Sequence, residues 1–96
     1  MKIIVQQHFY GMDQDQIHFD MPPHAKILDI KVRITEWNLG CVPANSQSLV
    51  FALADQFAGE LPDNARLSEL RIHDGTVLDA FGENVRELQE HILRHF

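Results

Sequence analysis

Hydrophobic and polar residues alternate in several short runs along the chain, and in other stretches they recur at helical spacing. Residues 2–7 carry Ile3 and Val5 on one face and predict a strand. Residues 16–21 alternate cleanly, with Ile17, Phe19 and Met21 on one side and Gln16, His18 and Asp20 on the other. That period of two is the mark of a half-buried strand. The turn-rich segment at 8–15 (HFYGMDQD) joins the two runs into a hairpin whose loop is longer than the tightest turns.

After Pro22 and Pro23 the pattern reads two ways. Residues 30–35 are β-branched and alternate like a strand. Yet Ile27, Ile30, Ile34 and Trp37 are spaced as a helical stripe, Pro23 can open a helix and Gly40 can end one. His24 and Ala25 are poor caps, which counts against the helix. Periodicity alone leaves both readings open. Further along, residues 41–48 read as a loop and residues 49–52 as a short strand. Residues 53–60 are a connection and 61–66 a turn. Leu67, Leu70 and Ile72 fit one helical turn running into an extended segment. Asp74-Gly75 is a turn signal, and residues 76–81 form a last strand with Leu78 and Ala80 opposite Val77, Asp79 and Phe81. Asn84 and Glu87 resemble a capping box, and Val85, Leu88, Ile92 and Phe96 form a stripe, so residues 83–96 predict an amphipathic helix.

The chain of 96 residues is long enough for one domain and too short for two. A hydrophobic share of 45% with 23% charged residues is that of a folded globular protein. Net charge is −6, which disfavours nucleic acid and anionic membrane surfaces as partners and leaves proteins open. Cys41 is the one cysteine, so no intrachain disulfide forms and a reducing compartment is expected. The apolar run after Met1 is too short for a signal-peptide core, and no stretch reaches the ~20 apolar residues of a membrane span. The expected localisation is cytoplasmic.

With these runs in place, the order of elements resembles the ubiquitin-like (β-grasp) family from Met1 to about Phe81. The opening residues 1–5 (MKIIV) are similar to the first ubiquitin strand. Ile17, Phe19, Met21 and Pro23 fall where the second strand and its following proline lie. Residues 27–34 align without a gap to the central helix, residues 49–52 to the third strand, and residues 61–81 run on without a gap. The resemblance implies an α+β fold, with a mixed sheet of four or five strands packed on one central helix, to which the residue pattern adds a C-terminal helix. Together they divide the chain into a β-grasp domain at 1–82 and a helix at 83–96. The resemblance also implies a structural ion pair between Lys31 and Asp63. The inward set expected on this fold is Ile3, Val5, Ile17, Phe19, Ile27, Ile30, Ile34, Leu49, Phe51, Leu61, Leu67, Leu70, Ile72 and Leu78.

Departures from the family decide the expected role. Conjugatable relatives end in a flexible Gly-Gly tail, whereas this sequence runs through Gly82 and a predicted helix to Arg94, His95 and Phe96. Neither tag nor sulfur-carrier function is expected, unless cleavage near Gly82 releases a modifier from a precursor. Lysines are confined to Lys2, Lys26 and Lys31, so chain building is not supported. The apolar reading patch of ubiquitin falls on Val50, Asp79 and Phe81. Asp79 stands in place of a histidine and adds a charge that would exclude ubiquitin's own readers. An exposed Val–Phe pair suits a protein partner, unless the C-terminal helix of the same chain covers it. The loop aromatics Phe9, Tyr10 and Phe57 are further candidates. The C-terminal helix, too short to persist alone, docks on its own sheet, on another protein, or on a second copy as a homodimer.

Catalytic chemistry is not visible. His91 and His95 share a helical spacing that can bind a metal, but no companion ligand stands at a diagnostic distance in sequence. There is no phosphate-cradling glycine loop and no nucleophile motif. No enzyme activity, cofactor or metal is expected. The chain reads as a non-covalent protein-interaction module of adaptor or regulatory type. A small β-grasp accessory subunit of an enzyme or secretion complex is the alternative.

Overall fold

A computed structural model describes residues 1–9, 15–51 and 60–82. Strand β1 (Lys2–His8) pairs antiparallel with β2 (Gln16–Asp20). The chain then enters helix α1 (Ile27–Trp37), passes a 3₁₀ turn at Ala44–Ser46, and forms β3 (Ser48–Phe51) and β4 (Thr76–Phe81). Strand β4 lies parallel to β1 and antiparallel to β3, so the four strands make one mixed sheet in the order β2-β1-β4-β3. This α+β arrangement, one helix against a mixed four-stranded sheet, is compatible with a β-grasp. The C-terminal helix expected at 83–96 lies outside the described residues, as do residues 10–14 and 52–59.

Strand alternation sets the two faces of the sheet. Inward rows run through Phe19, Ile3 and Thr76, and then through Ile17, Val5, Leu78 and Phe51. Helix α1 closes over them with Ile27, Ile30 and Ile34, all fully buried. Each such isoleucine contributes about 1.5–3 kcal/mol by leaving water. The strand-or-helix ambiguity at 27–37 therefore resolves as a helix: its isoleucines recur every three or four residues, and only a helix turns them all onto one sheet.

Both ends of α1 are held by parts of the chain distant in sequence. At the N-terminus no serine or threonine caps the helix. Instead the Ile27 and Leu28 N–H groups donate to the carbonyls of Ala65 and Asp63, each at 3.0 Å, while the Asp29 carboxylate accepts the Lys26 N–H at 2.8 Å. The weak caps at His24 and Ala25 are thus bypassed by the 60–66 segment, which satisfies orphan donors that local sequence leaves open. At the C-terminus Leu39 (φ 54°) and Gly40 (φ 84°) are both left-handed, and the Gly40 N–H returns to the Thr35 carbonyl at 2.9 Å. Asn38 locks this end, its Nδ2 donating to the Ile34 carbonyl and to Gln7 Oε1.

The core differs from expectation at its margins. Phe51 and Leu70 are only partly buried, while Phe9, Met21, Ala25, Val42 and Ala80 join the buried set. Four polar side chains are also buried, Gln7, Lys31, Gln47 and Ser48, and all but Ser48 form side-chain hydrogen bonds. Gln7 accepts from Asn38, and the Gln47 amide donates to the carbonyls of Lys31 and Val42 at 3.1 Å. Lys31, only 3% exposed, reaches Asp63 Oδ1 at 2.5 Å and Glu60 Oε1 at 3.6 Å. The Lys31–Asp63 pair is the one the resemblance implied. It ties α1 to the segment that caps it.

Candidate functional site

The outward face of the sheet is assembled by the parallel β1–β4 pairing. Strand β4 is central and apolar on its inner side, so its alternate residues Val77, Asp79 and Phe81 stand on the outer side. Asp79 sits between Val50 of β3 and Gln6 of β1, and Phe81 lies opposite His8. The expected trio Val50, Asp79 and Phe81 thus shares one face, and each member is half-buried.

His8 is the residue that sequence reasoning missed. Residues 8–15 read as a loop, but β1 extends through His8 because its backbone continues the parallel ladder to Phe81. The imidazole stacks on the Phe81 ring, with centroids 4.8 Å apart and planes 13° from parallel. Its Nε2 donates to Asp79 Oδ1 at 2.8 Å. A carboxylate on an apolar sheet face is thereby oriented by a ring that is itself fixed by stacking. The signal lay in the period of two, which carries Ile4, Gln6 and His8 onto the same side. What sequence could not supply was the diagonal contact between strands seventy residues apart.

Phe9 requires a correction. Read as a loop aromatic open to a partner, it is 3% exposed and belongs to the core. Its ring lies so close to Gly82 that a Cβ there would meet Phe9 Cδ1 at 3.4 Å. One residue past β1, Phe9 turns inward because an inward position follows His8, and the end of β4 closes over it. Tyr10 and Phe57 lie outside the described residues.

No family model matches this chain. A search of curated proteins returns no match either. The geometry of the molecule itself therefore carries the functional reading.

Among the described residues four large apolar side chains, Leu28, Val32, Trp37 and Leu39, are exposed. Trp37 continues the Ile27, Ile30, Ile34 stripe by spacing, yet it is 57% exposed. Leu39 is 91% exposed, and Leu28 and Val32 are exposed on the outer side of the helix. An open groove of about 330 Å³ lies between α1 and the chain after β2, lined by Met21, Pro22, Ala25, Asp29, Val32 and Arg33. The Arg33 guanidinium lies 5.4 Å over the Phe19 ring at its margin. Cys41 is exposed nearby in sequence and makes no disulfide.

Among the described residues no cluster of three or more His, Cys, Asp or Glu side chains could hold a metal ion. His91 and His95 lie outside them. No helix among the described residues is long and apolar enough to cross a membrane.

Proposed function

We propose that this chain is a ubiquitin-like β-grasp domain that works by binding another protein without covalent conjugation, in an adaptor or regulatory role. The observation that carries the reading is the outer sheet face, where Val50, Phe81 and His8 surround the carboxylate of Asp79. Apolar side chains beside a fixed charge give a partner both a contact to dehydrate and an orientation to obey. The mixed sheet on one helix and the Lys31–Asp63 pair support the ubiquitin-like part of the proposal.

Asp79 also argues for a partner distinct from the readers of ubiquitin. A surface built for a neutral or weakly basic residue would desolvate this carboxylate and leave it only His8 as a partner, which weakens binding. The partner we propose presents a basic or donor group there, in keeping with a net charge of −6.

The test is Phe81→Asp, with Trp37→Ala as the control. Proteins captured from native extract on the immobilised chain are compared by mass spectrometry, and folding is checked by circular dichroism. We expect Phe81→Asp to lose the captured partner at least tenfold while keeping its fold, and Trp37→Ala to retain it. Equal capture by Phe81→Asp, or its unfolding, would place the binding surface elsewhere.

A further inference from the structure

We propose that the free edge of β2, together with the adjoining flank of α1, is a docking surface for a second copy of this chain, joined by antiparallel pairing of β2 with β2 about His18. This surface lies at the β2 margin of the sheet, two strands from Asp79 and Phe81, and does not depend on how they are used.

Strand β2 ends the sheet order. The Gln7 N–H donates to the Asp15 carbonyl and the Met21 N–H to the Met1 carbonyl, which places the odd-numbered residues of β2 in bonding register with β1. The backbone N–H and C=O groups of Gln16, His18 and Asp20 therefore point away from the sheet. Among the described residues nothing pairs with them. Natural edge strands are guarded by charge, lysine above all, by proline, by a bulge or by shortness. Strand β2 (QIHFD) has no lysine, proline or bulge, its one charge, Asp20, stands at its end, and its register to β1 is unbroken.

The edge is complementary to itself. A twofold axis at His18 sets Gln16 opposite Asp20 of the second copy and Ile17 opposite Phe19 of the second copy. All three outward-facing residues then find backbone partners, and neither acid faces an acid. The side chains of Ile17 and Phe19 already point into the core, so pairing continues the two inner faces as one.

Side chains beside the edge supply apolar contact. Asp29, Arg33 and Trp37 form one row down α1, each four residues from the last. Arg33 lies over Phe19 of β2, and Asp29 and Arg33 line the groove, so the row faces the β2 side of the molecule. Trp37 ends that row with more than half its surface in water. Twofold apposition of this flank covers it. An isologous contact of this kind closes at two copies and does not propagate.

Trp37 is the only tryptophan, so its emission reports on the surface directly. We expect the full chain to sediment at twice the mass of one chain as concentration rises, with a parallel blue shift of Trp37 emission. His18→Lys places two like charges on the axis while leaving the β1 ladder intact. It should sediment as a monomer with unshifted emission and an unchanged circular dichroism spectrum. Should that variant fail to fold, Trp37→Glu, altered only on the exposed flank, should weaken the dimer at least tenfold by sedimentation. A wild-type chain that stays monomeric at all concentrations overturns the proposal. So does a dimer that survives His18→Lys, or one that is lost in Phe81→Asp alone.

Discussion

Lys31 shows how unequal the two members of one ion pair can be. Its ammonium is buried, whereas Asp63 is about half in water. Removing the lysine leaves a carboxylate that water can solvate. Removing the aspartate leaves a buried cation with Glu60, at 3.6 Å, as its remaining carboxylate neighbour among the described residues. Removing the partner of a buried charge costs several kcal/mol, while an apolar replacement of the buried charge itself is often neutral. Asp63→Ala should therefore cost about 1–3 kcal/mol and Lys31→Met less than about 1 kcal/mol, measured by urea unfolding. A larger loss for Lys31→Met would mean that the ammonium does more than answer Asp63. His8 makes the same point on the other side of the sheet: its role is set by what it touches, Phe81 and Asp79, and not by its neighbours in sequence.

Among the elements, α1 carries the strain. Its last turn closes through Leu39 at φ 54°, a left-handed conformation that costs an L-residue about 1–2 kcal/mol. Leu39 recovers nothing by burial, because almost its whole surface is in water. Leu39→Gly should raise stability by roughly 0.5–1 kcal/mol, the relief of strain being offset in part by the freer unfolded chain. Thermal unfolding checks this, and a lower melting temperature would show that the Leu39 side chain makes stabilising contacts despite its exposure. The helix N-terminus is built differently, from carbonyls of Asp63 and Ala65, so α1 and the 60–66 segment should form and fail together.

For the whole molecule, stability is graded across the sheet. Strands β1 and β4 are central and pair on both sides, while β2 and β3 each pair on one side only among the described residues. The slowest amide exchange should therefore fall on β1 and β4, around Val5 and Leu78, with β2 and β3 exchanging sooner. Hydrogen exchange followed by NMR tests this directly. Protection of β2 that rises with protein concentration would in addition mark its edge as covered by a second copy.

Period alone determined much of this protein. The alternation at 16–21 and 76–81, and the side on which Val77, Asp79 and Phe81 stand, follow from a strand having two faces. The inward set followed too, apart from residues at its rim such as Phe51 and Phe9. Tertiary structure decided what period cannot express. It chose helix over strand at 27–37, because a sheet was there to receive Ile27, Ile30 and Ile34. It capped that helix with carbonyls from Asp63 and Ala65, more than thirty residues away. It buried Gln7, Gln47 and Lys31 by giving each a partner. It left Trp37, the next residue of the same stripe, mostly in water. The physical reason is common to all of these: a residue's own chemistry sets which surroundings it tolerates, but only the folded chain brings distant groups within the few ångströms over which hydrogen bonds and packing act.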